Sequence, residues 1–333
     1  MLQTFTLVNY VLLCGVVSAF GVLFNLINVI IFVKLGFSDT INISLLSLAL
    51  ADLGVVLALV GYSVTYNPLF VGAVSAVEVS DSVSYIAFGW PYACFSRIAG
   101  CMTAVITVER FLCVSLPLKV KSIVTAGRIT TVAIGVSAFM FASIVPAFVG
   151  SRLGETFNPR LNRTSIGLIF SENVYDLENA SLTINVAVQL GVFVVVVVFT
   201  VGLIQTFLRN AEWRSAASTS SKNTAATRRD KKLVKMVIVI SVVFIVFSVP
   251  GVVATFLMML VKEYNIAGRY RNFYIATFSV LFPIGAINST VNIFIFLDLS
   301  SKYRRVFVSI LKRYPKTWNQ DSLLLTKQTE IRR

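Results

Sequence analysis

The chain of 333 residues is 56% hydrophobic and only 13% charged, and it carries a net charge of +14. Its apolar residues come in long blocks, which is typical of a membrane protein and leaves too little charge to cover a soluble enzyme of this length. Histidine is absent and the four cysteines fall inside apolar segments, which argues against a metal cluster, histidine-based catalysis or a cofactor. Basic residues between the apolar blocks and near the C-terminus suit lipid headgroups, so we expect no nucleic-acid binding.

Apolar windows of about twenty residues predict membrane-spanning helices. Seven windows occur, at residues 6–33, 41–64, 83–115, 128–150, 182–208, 233–261 and 273–297. The first lacks the basic segment of a signal peptide, so we expect it to remain as a helix. No window repeats another, which argues against a transporter built from tandem repeats. The predicted fold class is all-α, with a seven-transmembrane helix bundle over residues 1–298.

A short amphipathic helix is predicted after the last window, over residues 299–313, on the inner membrane surface. Its apolar side chains fall on one face, opposite basic residues: Tyr303, Phe307, and Ile310 or Leu311. Residues 314–333 are polar and are expected to form a disordered cytoplasmic tail. The segment 210–232, rich in Ser, Thr, Ala and basic residues, is expected to be a mobile loop.

Lysine and arginine predict the orientation. With the N-terminus outside, 22 of them lie on the cytoplasmic side and six on the extracellular side, while Arg97 lies within the membrane. This bias predicts an extracellular N-terminus and a cytoplasmic C-terminus, the reverse of the insect-type odorant channels. Glycosylation sequons at Asn162 and Asn179 follow the fourth window, on the side that this orientation places outside the cell.

Polar groups inside the windows are few. An ionisable group costs about 2.5–3.5 kcal/mol on insertion scales and usually has a function. A single amide in a span is explained equally well as a hydrogen-bonding group that holds two helices together, which contributes roughly 0.6–2 kcal/mol. The polar residues concerned are Asp52, Arg97, Glu109, Arg110, Asn25, Asn288 and Asn292.

The order and spacing of these residues carry more information than any one of them. The motifs are Asn25 in the first window, Leu-Ala-Leu-Ala-Asp52 in the second, Glu109-Arg110-Phe111 in the third, Pro250 in the sixth, and Asn288-Ser289 with Asn292 in the seventh. Together they resemble the rhodopsin-like G-protein-coupled receptors, along nearly the whole chain.

The resemblance implies a water-filled polar core that rearranges on activation, formed by Asn25, Asp52, Asn288, Ser289 and Asn292. Family members often hold a sodium ion there. Ala99 stands eleven residues before Arg110, where the family usually has a serine, so one oxygen ligand is lost. At most a weak sodium site at Asp52 is expected.

The resemblance also implies an activation switch. Arg110 would be held by Glu109 at rest and released to meet the G protein. Asp230, twenty residues before Pro250, would grip Arg110 as a second latch, although its basic neighbours also explain an acid there. The remaining switch residues would be Phe244, Pro250, Asn292 and Phe296. Several positions depart from the family: Ser248 replaces a tryptophan, Ile293 a proline and Phe296 a tyrosine.

The usual family disulfide is not expected. Tyr85 holds the position of the first cysteine, and residues 151–181 contain none. Cys94 and Cys101 lie two turns apart on one helix, about 10 Å, which is too far for a bridge.

The ligand is expected between helices 3, 5, 6 and 7, near Phe88, Tyr92, Ser96, Arg97 and Ser248. Residues 273–297 lack the lysine on which retinal binding depends, and Tyr92 occupies the position of the carboxylate that binds amines. The segment beginning Trp90-Pro-Tyr-Ala-Cys94 resembles orphan and chemosensory receptors of gastropod molluscs, which are distantly similar to neuropeptide receptors.

The resemblance therefore implies a plasma-membrane receptor, not an enzyme, with three partners: an extracellular chemical or peptide ligand, a heterotrimeric G protein and membrane lipids. A chemosensory role is favoured, and a neuropeptide receptor is the alternative. A transporter or channel remains a further alternative, because intramembrane charges can also mark ion pathways.

Overall fold

The computed structural model describes residues 2–73, 84–158, 163–171, 173–217, 225–261, 263–264 and 269–313. Within them, seven helices are long and apolar enough to cross a membrane, which confirms the predicted seven-helix fold. Their membrane-spanning parts are α1 (Thr4–Leu35), α2 (Thr40–Thr65), α3 (Ile86–Ser115), α4 (Ala126–Val149), α5 (Asp176–Arg209), α6 (Lys231–Leu260) and α7 (Arg271–Leu299). A further helix, α8 (Ser301–Arg313), follows α7.

Two helices continue beyond the membrane on the side of the basic loop. The helix that contains α5 spans Val174–Ala217, and the one that contains α6 spans Ala225–Leu260. The prediction of a loop over the whole of 210–232 is therefore wrong for 210–217 and 225–232. Alanine, arginine and lysine have high intrinsic helix propensity, so the helices persist outside the apolar windows.

A β-hairpin follows α4 and was not predicted. Strands β1 (Ser151–Asn158) and β2 (Arg163–Phe170) pair antiparallel, with Ser151 opposite Phe170. The sequence of β2 is rich in apolar and β-branched residues, which favour strands, but it is too short to register as an apolar window. The all-α prediction thus needs this one addition.

The bundle closes around α3. This helix contacts α2, α4, α5 and α6, while α7 contacts α1, α2 and α6. Large apolar side chains remain exposed around the outside, as on α5 at Val194 and Val198. Such a surface suits lipid tails, which are as apolar as the side chains themselves. Asn25, Asp52 and Asn292, in contrast, are buried in the interior.

Helix α8 docks on the C-terminal end of α1 through one apolar face. Tyr303 is fully buried, Phe307 and Ile310 pack against the core, and Leu311 is 58% exposed, so Ile310 and not Leu311 completes the predicted face. Arg304 donates from Nε to the Leu297 carbonyl (2.9 Å) and from Nη2 to the Asp298 carbonyl. These bonds satisfy carbonyl groups that the end of α7 would otherwise leave open.

Candidate functional site

A cavity of about 630 Å³ opens between α1, α2, α3, α5, α6 and α7. Its volume falls in the range usual for small-molecule sites. Aromatic side chains form much of the wall: Tyr10, Tyr62, Tyr66, Tyr92, Tyr274, Phe278 and Phe282. The rings pack together, with centroids 5.0 Å apart for Tyr62 and Tyr66 and 4.8 Å apart for Tyr92 and Phe282.

A smaller cavity of about 130 Å³ lies next to the first and shares part of its wall. The residues that line both are Tyr92, Arg97, Gln189, Thr255, Phe278 and Phe282. Ser96, Ser248 and Asn288 line only the smaller one. Four of the five residues predicted for the ligand site therefore line a cavity, whereas their contact with a ligand stays a prediction.

Phe88 is the exception among the five, and its predicted contact with a ligand stays a prediction. It is absent from the described residues that line the two cavities, and its ring lies against α2, where a Cβ added to Gly61 would come within 2.1 Å of it. Phe88 belongs to a π-helical segment, Tyr85–Gly89, at the start of α3. The wider turn of a π-helix rotates this segment relative to the rest of α3.

Gln189 and Thr255 were missed by sequence reasoning. The Thr255 hydroxyl lies 2.9 Å from the Gly251 carbonyl and 3.2 Å from Gln189 Oε1, so its one hydrogen is shared between an acceptor in α6 and an acceptor in α5. Each is an uncharged polar residue with apolar neighbours on both sides in a long apolar span, and this was the available signal. Uncharged residues of this kind are common in spans, so only their convergence on one cavity distinguishes them.

Arg97 occupies the boundary between the two cavities. Its Nε is fully buried and has no hydrogen-bond partner among the described residues. Neither cavity is lined by Asp or Glu in the described part of the chain. The arginine therefore presents an uncompensated positive charge to the cavity space.

The predicted polar core is assembled at the level of Asp52, which is 1% exposed. Asn292 donates from Nδ2 to Asp52 Oδ2 (2.8 Å), joining α7 to α2. Asn25 donates from Nδ2 to the Ser289 carbonyl (2.8 Å), joining α1 to α7. Asn288 takes part in neither of these two bonds and instead lines the smaller cavity.

The residue that bonds to Asp52, Asn292, directly follows a break in α7. The helix is interrupted at Val291, between Arg271–Thr290 and Asn292–Leu299. Beyond the break, Phe294 N–H donates to the Val291 carbonyl (3.1 Å) in a tightened turn. Ile293 thus follows a helix break although the proline usual in the family is absent.

The surroundings of Asp52 fit a sodium ion poorly. One of its oxygens accepts from an amide donor, and the position at which the family usually has a serine is Ala99, whose side chain offers no oxygen. Across the described residues, no group of three or more His, Cys, Asp or Glu side chains could hold a metal.

Tyr303 extends this network to α8. Its hydroxyl donates to Asn28 Oδ1 (2.6 Å), and Asn28 donates from Nδ2 to Asn25 Oδ1 (3.1 Å). Burial raises the pKa of the Tyr303 hydroxyl above its ordinary value, which keeps it protonated as a donor. Phe296 packs beside it, with ring centroids 5.5 Å apart. A tyrosine hydroxyl therefore reaches the polar network from α8, while the α7 position carries phenylalanine.

Glu109 and Arg110 form an ion pair near the C-terminal end of α3, with Arg110 Nη2 2.5 Å from Glu109 Oε1. Glu109 is 2% exposed and also accepts hydrogen bonds from Thr40 and from Ser44 Oγ on α2, the latter at 3.1 Å. Burial and three donors hold the carboxylate in place. Arg110 Nε, by contrast, is buried without a partner in the described structure.

A hydrogen bond joins α3 to α6 one turn before Arg110. The hydroxyl groups of Thr107 and Ser241 lie 2.7 Å apart, and both side chains are buried. Thr107 also donates to the Thr103 carbonyl (2.7 Å). Since a hydroxyl carries one hydrogen, Ser241 is the donor between the helices.

The remaining predicted switch residues lie in different parts of the bundle. Phe244 lines the smaller cavity beside Gly100, and Pro250 lies within α6. The backbone of Asp230 belongs to the helix that contains α6, but its side chain lies outside what the structure describes. The predicted contact of Asp230 with Arg110 therefore stays a prediction.

Two further predictions concern the outer side and the cysteines. Asn179 is exposed near the start of the helix that contains α5, whereas Asn162 lies outside the described residues. Cys14 and Cys94 are buried thiols, and Cys101 and Cys113 are partly buried.

Seven helices, an interior cavity and a buried Glu-Arg pair at the end of α3 define a membrane receptor of the seven-helix class. A family model described as 7 transmembrane receptor (rhodopsin family) matches residues 25–296. The chain therefore belongs to this receptor family, which is not a family of enzymes. No curated protein matches the chain, so the narrower resemblance to gastropod receptors stays a proposal.

Proposed function

We propose that this receptor is a chemosensory protein of the plasma membrane, with its N-terminus outside the cell. It binds an extracellular chemical or peptide ligand in the larger cavity and activates a heterotrimeric G protein through the inner ends of α3 and α6. The single observation that carries the proposal is the Glu109–Arg110 ion pair, which lies at the opposite end of α3 from a ligand-sized cavity. Such a pair can serve as a switch because its two charges are partly shielded from water at the membrane edge, where they interact more strongly than in water.

In the resting state, Glu109 holds Arg110, while the bond from Ser241 to Thr107 holds α6 against α3. Ligand binding favours an arrangement in which the inner end of α6 moves away from α3 and Arg110 becomes available to the G protein. Coupling between the two ends is supported by Phe244 and Asn288, which line the smaller cavity between them. A ligand can shift this equilibrium only by binding the two arrangements differently.

A cavity of about 630 Å³ favours a small chemical over a whole peptide, although the end of a short peptide could enter it. A neuropeptide receptor therefore remains the second candidate. A transporter or channel would instead give a ligand-evoked current in cells that lack the G protein.

The test uses cells that express the receptor with a promiscuous G protein, screened with amino acids, small odorants and short amidated peptides. For any agonist found, Arg110→Ala should abolish signalling and leave ligand binding intact. Arg305→Ala is the matched control, because Arg305 is exposed on α8 and, among the described residues, bonds only within its own helix. Full signalling by Arg110→Ala, or current without G protein, would refute the proposal.

A further inference from the structure

The starting point is the guanidinium of Arg97, which lies within the membrane between the two cavities. Its Nε is fully buried and makes no hydrogen bond in the described structure. A buried cation without a partner is costly, and an ionisable group within a membrane span usually has a function. The planar fork of a guanidinium matches the two oxygens of a carboxylate.

The cavity walls offer that cation no internal counter-charge. Among the described residues that line them there is no Asp or Glu, and the one other charged residue is Arg271, at the start of α7. Because no carboxylate lines the cavities in the described part of the chain, the positive charge of Arg97 raises the local concentration of anions. The electrostatics of the site therefore favour a negatively charged ligand.

Gln189 brings a second donor group to the same two cavities as Arg97. Its Oε1 lies 3.2 Å from the Thr255 hydroxyl, whose one hydrogen it shares with the Gly251 carbonyl (2.9 Å), and its NH₂ group carries two hydrogens that can be donated to a ligand. Both Gln189 and Arg97 line both cavities, from α5 and α3 respectively. An anion held between them would join the two helices directly above the deeper switch residues.

The remainder of the larger cavity calls for an apolar body. Tyr10 packs 4.9 Å from Tyr66 and 5.7 Å from Phe282, measured between ring centroids. Rings of this kind pack against aromatic or aliphatic groups and not against a hydrated inorganic ion. Volume, wall and charge together describe an organic acid.

We propose that the ligand is a small organic carboxylate whose carboxylate group pairs with Arg97 and Gln189 and whose apolar body packs against the aromatic wall. The carboxylate belongs to a free acid or to the C-terminus of a short peptide. This inference rests on the proposed function, because it identifies the ligand class of the same cavity.

The test is a binding measurement by thermal shift on the purified full-length receptor, without a G protein. The probes are aromatic and aliphatic monocarboxylic acids, free amino acids and short peptides with a free C-terminus, each paired with its primary amide. At least one acid should bind tenfold to a hundredfold more tightly than its amide, since a charged hydrogen bond contributes about 1.5–3 kcal/mol. Whether small acids or peptides show this preference identifies the source of the carboxylate.

The variants locate the effect. Arg97→Gln should remove the preference for acids and leave the binding of the amides unchanged, whereas Arg97→Lys should keep part of it through its charge. A panel in which no acid is preferred overturns the proposal, even if the variants fail to fold. A preference for acids that survives Arg97→Gln overturns the proposal as well, because the carboxylate would then bind to another group. Water and backbone carbonyls would in that case be the partners of Arg97.

Signalling separates this proposal from the one on which it rests. Acids that bind through Arg97 but never activate a G protein would leave the anion site standing and refute the proposed function. Agonism by neutral compounds alone, undiminished in Arg97→Gln, would leave the function standing and refute the anion site.

Discussion

Replacing Ser241 by alanine should raise the basal activity of the receptor. Ser241 is the donor in the bond to Thr107 that joins α3 to α6, and both side chains are buried. If α6 leaves α3 on activation, the resting arrangement alone contains this bond. Ser241→Ala therefore destabilises the resting state and has little effect on the active one.

The size of the effect follows from the kind of bond. A neutral hydrogen bond contributes a net of about 1 kcal/mol, within a range of roughly 0.5–1.5 kcal/mol. Since about 1.4 kcal/mol corresponds to a tenfold change in an equilibrium, the active-to-resting ratio should rise about fivefold, and between about twofold and tenfold over that range. Basal nucleotide exchange on the G protein, measured in membranes at matched receptor density, reports this ratio.

The control is Thr103→Val, because the Thr103 hydroxyl donates to the Ala99 carbonyl (3.0 Å) within α3 and not to another helix. Its basal activity should match that of the wild type. Thr107→Val should reproduce the rise seen in Ser241→Ala, and the double variant should add nothing further, as expected when both changes remove one interaction. Unchanged basal activity in Ser241→Ala, an equal rise in the control, or additive effects in the double variant would each refute the reasoning.

Three further predictions concern other parts of the network. Tyr303→Phe should lower the free energy of unfolding by about 1–3 kcal/mol, because the buried Asn28 oxygen loses its donor. Tyr270→Phe is the control and should have no such effect, because Tyr270 is exposed. Equal melting temperatures for the two variants would contradict this prediction. Asp230→Ala should raise basal signalling at matched surface expression if this acid grips Arg110, and no rise would remove that latch. Mild dithiothreitol should leave surface expression unchanged, and the denatured, unreduced protein should show four free thiols; a lower thiol count would reveal a disulfide.

Some features follow from the sequence alone because they depend on local properties. The seven spans were predictable, since the length and apolarity of a window decide whether it can cross a membrane. The apolar face of α8 was also predictable at Tyr303 and Phe307, because a helical repeat places them together. Asp52 and Asn292 could be grouped only through their resemblance to a family pattern, and the structure brings them within 2.8 Å.

Other features depend on how the helices are rotated against one another. The bond between Thr107 and Ser241 joins residues that are 134 positions apart, and the one between Tyr303 and Asn28 joins residues that are 275 apart. No repeat or spacing in the sequence connects such pairs. The rotation of each helix is set by packing along its whole length, so a hydroxyl that looks like any other polar residue of a span acquires a partner only in the bundle.

The candidate ligand site shows the same division. The sequence by itself marked Arg97, because an isolated charge in an apolar span is costly wherever it points. The tertiary structure alone decided that Gln189 joins it at the cavity and that Phe88 turns towards α2 instead. The energetic cost of a buried charge is a property of one residue and its segment, whereas the composition of a cavity is set by the relative rotation and depth of several helices packed together.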